Sequence, residues 1–134
     1  MGISRVVLDT NVLVSALLSR ESNPAEIYRM FMAKAFTLVY CAEILNEYGD
    51  VLYRPKLRIP RSDADIMLAA IRKHGEEVRT APSVILMPDE DDRVFYDAAK
   101  RSGAYLVTGN KRHYPNEPFI FTPAEFLVLR RSQP

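Results

Sequence analysis

The sequence contains a single cysteine, Cys41, and no apolar run long enough to cross a bilayer. One cysteine excludes an intramolecular disulfide framework and fits a reducing compartment. The longest apolar stretch, residues 12–18, is interrupted by Ser15 and is much shorter than the roughly 20 residues that a membrane helix needs. Asp9 cuts the first apolar run too early for the hydrophobic region of a signal peptide. We therefore expect a soluble, cytoplasmic protein with no part in the membrane.

A strong overall charge is also lacking, because 18 basic residues nearly balance 17 acidic ones and leave a net charge of +1. Global electrostatics therefore predict no particular partner, and nucleic-acid binding would have to come from a local basic patch. The 134 residues are 48% hydrophobic and 26% charged, which is typical of a globular protein. We find no internal repeat, low-complexity tract or linker, and predict one domain over residues 1–134.

Short apolar segments alternate with amphipathic ones along the chain. The apolar segments predict strands at residues 4–8, 36–40, 84–87, 104–107 and, more briefly, 119–121. The amphipathic segments predict helices at residues 12–18, 25–33, 42–53, 62–74, 91–102 and 123–130. This alternation is typical of an α/β protein whose central, mainly parallel sheet of four to five strands is covered on both faces.

Polar residues follow three of the predicted strands. Asp9 follows the first, the acidic run 89–92 follows the third, and Thr108-Gly109-Asn110 follows the fourth. In parallel sheets ligands bind at the carboxyl ends of the strands, so these residues are expected to line one crevice. Thr10 and Asn11 are predicted to cap the next helix.

Two glutamates, Glu43 and Glu47, lie four residues apart on one face of the third predicted helix. Glu43 falls in the first turn, where the helix dipole favours an acid for structural reasons alone. Glu47 lies beside the apolar stripe, next to Tyr48, and is the preferred candidate for the site.

Within the acidic run, Asp92 is the preferred candidate, because Phe95 and Ala99 follow it on the core-facing stripe of the helix. The other acids are interpreted as caps or solvated residues. Asp97 is interpreted as ordinary helix surface.

The candidate acids are therefore Asp9, Glu47 and Asp92. Asp9 alone is also consistent with a simple turn or capping residue. If the three carboxylates meet, their repulsion requires a cation or protons. Oxygen ligands without a matching cluster of histidine or cysteine favour Mg²⁺ or Mn²⁺ over zinc. Thr108 and Asn110 either orient a carboxylate or simply end a strand, and local sequence leaves both open.

Four segments, residues 6–17, 43–48, 89–95 and 105–111, resemble in order and separation the motifs of PIN domains. The resemblance spans residues 5 to about 126 and is greatest to the PIN-type toxins of prokaryotic toxin–antitoxin pairs. It implies an α/β/α sandwich and an endoribonuclease that depends on Mg²⁺ or Mn²⁺.

Carried over by motif, Asp9, Glu47 and Asp92 would be the catalytic and metal-binding acids. Thr10, Asn11 and Thr108 would hold these carboxylates in orientation. The fourth motif of the family usually offers an aspartate where this chain has Asn110, which holds a second cation less well and makes a single bound ion more plausible. The family also implies a homodimer and an antitoxin that covers the crevice.

An RNA substrate requires cations near the acidic site. Lys111 and Arg112 directly follow the fourth motif and are predicted to contact phosphates. Arg54 and Lys56 belong to a second basic run, for which a solvated loop is an equally good interpretation. Tyr114 is a candidate for stacking on bases, although burial is the favoured prediction for it.

Two other functions are compatible with the residues. A catalytically weak or inactive PIN-like module that binds RNA or protein is favoured by Asn110 and disfavoured by the intact trio of acids. A phosphotransfer or receiver-type domain would explain an aspartate after a strand. However, phosphatases that use an aspartate nucleophile have a second acid two residues later, where this chain has Asn11.

Overall fold

A computed structural model describes residues 4–132 and has a five-stranded sheet at its centre, in which every pair of neighbouring strands is parallel. The strands are β1 (Arg5–Leu8), β2 (Thr37–Tyr40), β3 (Glu76–Glu77), β4 (Tyr105–Val107) and β5 (Ile120–Phe121). Their spatial order is β3-β2-β1-β4-β5, so β1 is central and β4 lies beside it. The predicted α/β class with a parallel sheet is confirmed.

In residues 4–132, six helices flank this sheet. They are α1 (Thr10–Leu18), α2 (Asn23–Met32), α3 (Ala42–Leu52), α4 (Arg61–His74), α5 (Arg93–Ser102) and α6 (Pro123–Arg131). Short 3-10 turns occur at Pro55–Leu57, Glu90–Asp92 and Lys111–His113. All six helices lie within about two residues of their predicted bounds, because each carries an apolar stripe at helical spacing.

The start of α1 differs from the prediction. Asp9, rather than Thr10 or Asn11, occupies the N-cap position, and its side chain accepts a hydrogen bond from the backbone N–H of Asn11. Thr10 and Asn11 instead form the first turn of the helix. Their side chains are therefore free to bond to other parts of the chain.

The predicted strand at residues 84–87 is wrong. These residues form a loop bracketed by Pro82 and Pro88, and the side chains of Val84 and Leu86 are exposed to solvent. Prolines lack the N–H that a central strand must donate. The strand beside β2 is instead β3, which follows α4 directly after Gly75. The acidic run 89–92 therefore follows a loop rather than a strand.

The core lies between the sheet and the helices. Its largest fully buried side chains are Tyr48, Tyr96, Phe95, Phe126, Leu8, Leu13, Ile27, Leu38, Ile44, Leu52, Met67 and Ile71. One of them connects two elements through a polar atom, because the Tyr48 hydroxyl on α3 donates a 2.5 Å hydrogen bond to the carbonyl of Leu8 at the end of β1. This bond fixes α3 against the strand end that carries Asp9.

Candidate metal centre at the carboxyl end of the sheet

Asp9 is a buried carboxylate at the junction of β1 and α1, with only 6% of its surface exposed. Its backbone N–H donates to the carbonyl of Val107 at 2.9 Å, which ties the end of β1 to the end of β4. Its Oδ2 accepts hydrogen bonds from the Thr108 hydroxyl at 2.8 Å and from the Tyr114 hydroxyl at 2.9 Å. Two hydroxyl donors therefore hold this side chain in one orientation.

Tyr114 is the donor whose role the sequence did not reveal. Its burial is as predicted, with 5% of its surface exposed, and that burial removes its ring from the solvent side where a base would stack. Burial and the neighbouring charge of Asp9 raise the pKa of the Tyr114 hydroxyl, which therefore remains protonated and able to donate.

Glu47 projects from α3 and is half-buried, whereas Glu43 on the same helix is exposed. The Thr10 hydroxyl donates a short hydrogen bond to Oε2 of Glu47. Burial raises the pKa of Glu47, the Thr10 hydrogen bond opposes that rise, and the charges of Asp9 and Asp91 add to it. The charge of Asp9 therefore acts on Glu47, the glutamate that the sequence analysis preferred for the site.

Asp92 is the most strongly perturbed carboxyl of the group. Burial raises its pKa from 3.8 to about 7, with further contributions from Asp9, Asp89 and Glu47, and His113 opposes the shift. Its Oδ2 is fully buried and has no hydrogen-bond partner. Asp9 therefore influences the pKa of both Glu47 and Asp92, and Asp92 Oδ2 accepts no hydrogen bond although His113 Nδ1 lies 3.5 Å away.

The polar residues around the acids connect α1 to the loop after β4. The side-chain oxygen of Asn11 accepts a 3.0 Å hydrogen bond from the backbone N–H of Gly109. The backbone N–H of Asn110 donates to the Thr108 hydroxyl oxygen at 3.0 Å, while its side chain is exposed. Thr10 and Thr108 thus bond to predicted acids directly, whereas the Asn11 side chain bonds to the loop and Asn110 contributes its backbone N–H.

A tighter group of ligand atoms lies beside the predicted trio. Asp89, Asp92 and His113 each offer one atom, and these atoms lie within 4.8 Å of one another. Of the residues described, Asp9 and Glu47 lie outside this group. Neither Asp89 nor His113 was predicted for the site: Asp89 was interpreted as a cap or a solvated residue, and His113 directly follows the basic pair Lys111 and Arg112.

The interpretation of Asp97 as helix surface is wrong. Asp97 is 5% exposed, and its Oδ2 accepts a 3.1 Å hydrogen bond from the backbone N–H of Ser83. The loop that replaces the predicted third strand folds over this face of α5 and covers the acid. Arg93 supports the same loop by donating to the carbonyls of Ser83 and Ile85.

The predicted RNA-binding cations lie in or beside two 3-10 turns, one after β4 and one after α3. Lys111 and Arg112 lie in the same 3-10 turn as His113, and Lys111 forms an ion pair with Glu125 at 3.0 Å. Beside the turn after α3, Arg54 pairs with Asp50 at 3.0 Å, and the charge of Arg54 opposes the rise in the pKa of Glu47. Lys56 lies in the exposed turn that follows.

The donor set suits a hard divalent cation. Carboxylate oxygens predominate, Asp92 Oδ2 is buried without a donor, and a bound cation would satisfy it. A cation would also relieve the repulsion that raises the pKa of Asp92.

Comparison with known proteins decides the family. The sequence model of the PIN domain matches residues 5–112, most of the chain. The chain belongs to the PIN-domain family. PIN domains are generally nucleases and typically use divalent metal ions, and an acidic group that suits such an ion is present here.

Two further proteins are similar to this PIN domain. An uncharacterized protein of Methanocaldococcus jannaschii, MJ1680, is 30% identical over 115 residues, which cover 80% of this chain and 71% of that protein. The crystal structure of PAE2754 from Pyrobaculum aerophilum has a TM-score of 0.61 at 19% identity and covers 98% of this chain and 91% of that one. The second similarity supports the fold.

Within residues 4–132, no helix is both long enough and apolar enough to span a membrane.

Proposed function

We propose that this PIN domain is a Mg²⁺- or Mn²⁺-dependent endoribonuclease that hydrolyses RNA phosphodiester bonds. The observation that carries the proposal is the pair of features at Asp92, a buried oxygen without a partner and a pKa raised to about 7 beside Asp9 and Glu47. Groups of carboxyls whose pKa values are raised by burial and by one another are typical of functional sites, and this supports the proposal.

The three predicted acids would hold the ion, and one of them, Glu47, would also accept a proton. Asp9, Asp92 and Glu47 would hold a divalent cation, which supplies charge neutralisation at the scissile phosphate and acidifies water when bound. Thr108 and Tyr114 keep the Asp9 carboxylate in one orientation through their hydrogen bonds to Oδ2. The rigid carboxylate loses little entropy when it binds the ion.

Glu47 is suited to accept a proton from the attacking water. Its pKa is raised by burial and by Asp9, so it is a better base than an exposed glutamate, while the Thr10 hydrogen bond keeps it oriented. Arg112 and Lys56 are exposed, and they and the neighbouring cations would supply the positive surface that an RNA backbone requires.

The proposal is tested by cleavage of a structured RNA by the purified protein with Mg²⁺, Mn²⁺ or excess EDTA, with single-stranded DNA of the same sequence as the second substrate. Asp9→Asn controls for contaminating nuclease. Glu47→Gln and Glu43→Gln form a matched pair on one helix, and only the first is expected to abolish cutting. Equal RNA cleavage by wild type and Asp9→Asn would refute the proposed nuclease activity and favour a PIN-like module that binds RNA or protein without cleaving it.

We also propose that the protein is the toxin of a toxin–antitoxin pair, that it acts as a homodimer, and that it works in the cytoplasm. Support comes from the similarity of its ordered motifs to those of PIN-type toxins, and from apolar side chains exposed on its helices, such as Met32 on α2 and Ile66 on α4. Induced expression in a bacterial host is expected to arrest growth, whereas Asp9→Asn is tolerated. Light scattering is expected to give twice the mass of one chain. Normal growth with active, well-folded protein would refute the toxin role.

A further inference from the structure

A groove lies at the edge of the sheet that β5 forms. It has a volume of about 480 Å³, within the range of roughly 300–1,000 Å³ that is typical of ligand clefts. Its walls combine apolar, amide and charged side chains, among them Pro118, Phe121, Asn116, Lys111, Glu117 and Glu125. None of the three acids proposed to hold the cation lines this groove, so it is a separate feature of the surface.

The groove reaches the carboxyl end of the sheet, where the candidate metal centre lies. The carbonyl of Phe121 accepts a 2.9 Å hydrogen bond from the backbone N–H of Thr108, whose hydroxyl donates to Asp9. Lys111 begins the 3-10 turn that follows Thr108. A nucleotide in the groove would therefore be a close neighbour of the phosphate that is attacked at the metal centre.

Glu117 is an acid of the groove that is held in place and still able to accept hydrogen bonds. The Tyr96 hydroxyl donates a short hydrogen bond to its Oε2, and Lys100 Nζ donates to the same oxygen at 3.4 Å. The bond from Tyr96, and after it Lys100, lowers the pKa of Glu117, so the carboxylate is ionised and can only accept. Its side chain is 18% exposed, and within residues 4–132 its hydrogen bonds use Oε2, which leaves Oε1 for a ligand.

The groove is unsuited to an added peptide strand or to a phosphate. The backbone N–H of Ile120 donates to the carbonyl of Glu117 at 3.3 Å, and that of Thr122 donates to Glu125 Oε1 at 2.9 Å. A strand added to this edge would find these donors in use. A phosphate would face two carboxylates and a cation, Lys111, that is already paired with Glu125. A planar base that donates hydrogen bonds fits the groove better.

We propose that this groove binds a guanine base of the RNA, next to the bond that is cut, and that Glu117 recognises its Watson–Crick edge. The inference rests on the proposed nuclease function and adds a base preference to it. Guanine presents two adjacent donors on that edge, N1–H and the 2-amino group, which match the two oxygens of one carboxylate. Adenine and cytosine place an acceptor beside their one donor group, and uracil places its N–H between two carbonyls, so a carboxylate repels part of each edge.

Other residues of the groove suit the rest of a guanine nucleotide. Phe121 is half-buried, and its ring packs edge-on against Tyr105 at 5.5 Å, which holds it as a surface for base stacking. The exposed Asn116 amide is a donor for the guanine O6. Arg112, exposed in the same turn as Lys111, is available to a phosphate outside the groove.

The test measures the binding of three short single-stranded RNAs that differ at one position, which is guanine, inosine or adenine in an otherwise all-uridine chain. Inosine lacks only the 2-amino group of guanine, so it isolates one of the two donors. The measurements use Asp9→Asn with Mg²⁺, because this variant is expected to leave the RNA uncut. The guanine RNA is expected to bind about tenfold more tightly than the inosine RNA, since hydrogen bonds to a charged acceptor are the stronger ones.

Further substitutions in the Asp9→Asn protein locate the preference. Adding Glu117→Gln is expected to bring the guanine and inosine RNAs to within about twofold of each other. Lys100→Ala is the matched control, because Lys100 contacts the same carboxylate without lining the groove, and it should keep the preference. Asn116→Ala, at an exposed position where folding is not at risk, is expected to weaken binding of the guanine RNA by about threefold.

Equal binding of the three RNAs, or a guanine preference that survives Glu117→Gln, would overturn the inference. Cleavage of RNA by wild type together with either result would keep the nuclease and remove the guanine site. A preference that depends on Glu117, without cleavage of any RNA by wild type, would keep the base-binding groove and remove the proposed nuclease. If both hold, sequencing of the cut ends should show guanine at one fixed position beside the cleaved bond.

Discussion

Replacing Asp92 with asparagine is expected to stabilise the metal-free protein. The folded structure destabilises the ionised form of the Asp92 carboxylate, because burial and neighbouring acids raise its pKa from 3.8 to about 7. The difference between 3.8 and about 7 corresponds to at most about 4 kcal/mol, because each tenfold change in proton affinity is worth about 1.4 kcal/mol. The side chain is still 16% exposed. Solvent and small loop shifts relieve part of this penalty, and we expect a gain of about 2 kcal/mol in the free energy of unfolding, or roughly 5–8 °C in Tm.

The free energy of unfolding gained by Asp92→Asn should increase as the pH rises. The penalty is absent below the unfolded pKa of Asp92, grows as pH rises through the interval from 3.8 to about 7, and is constant above it. The difference between Asp92→Asn and wild type should therefore be largest near about pH 8 and fall to less than half at about pH 5.

The assay is urea unfolding in EDTA at the two pH values, followed by circular dichroism. Glu21→Gln is the control, because Glu21 lies in an exposed turn, and it should change stability by less than about 0.5 kcal/mol at either pH. With saturating Mn²⁺ the order should reverse, since wild type alone gains the full binding energy of the ion. An Asp92→Asn protein that is less stable than wild type in EDTA at the higher pH would refute the reasoning.

Three other substitutions test separate parts of the structure. Tyr114→Phe removes one of the two hydroxyl donors to Asp9 while keeping the ring, so RNA cleavage should slow by about tenfold with a near-normal fold, and an unchanged rate would contradict the positioning role. Asp97→Ala should cost about 1–3 kcal/mol and speed hydrogen exchange in the loop that covers it, whereas Asp97→Asn, which keeps an acceptor, should cost less. Arg112→Ala should weaken the salt dependence of RNA binding, so that the slope of log binding constant against log salt concentration falls in magnitude by about one. Lys73→Ala, on the exposed end of α4, should leave that slope unchanged, and equal effects would argue against a local phosphate contact.

The regular part of the fold was predictable because its signals are local. Each helix shows its apolar stripe within one segment, and β1, β2 and β4 are short runs of apolar residues. The strand at residues 84–87 failed because an apolar run with flanking prolines also fits an exposed loop, whereas the true edge strand, β3, is two glutamates long and has no apolar signal. Such a strand exists only because β2 offers it a free edge.

The candidate site was predictable in part. Asp9, Glu47 and Asp92 were selected from their positions at the ends or on the inner faces of elements, and their carboxyls influence one another in the structure. Their roles as metal ligands remain predictions. Asp97 was misjudged because its burial depends on a loop that crosses α5, and helical spacing contains no information about that loop.

By itself, the sequence determined the alternation of strands and helices, the parallel sheet, and the placement of acids near its carboxyl end. Only the tertiary structure decided which atoms meet. The Tyr114 hydroxyl reaches Asp9 across 105 residues because β4 pairs with β1 in one register. The pKa of Asp92 depends on burial and on charges from three other segments, so it exists only once those segments are packed. Local propensity is a property of neighbours in the chain, whereas hydrogen bonds and pKa shifts are properties of neighbours in space.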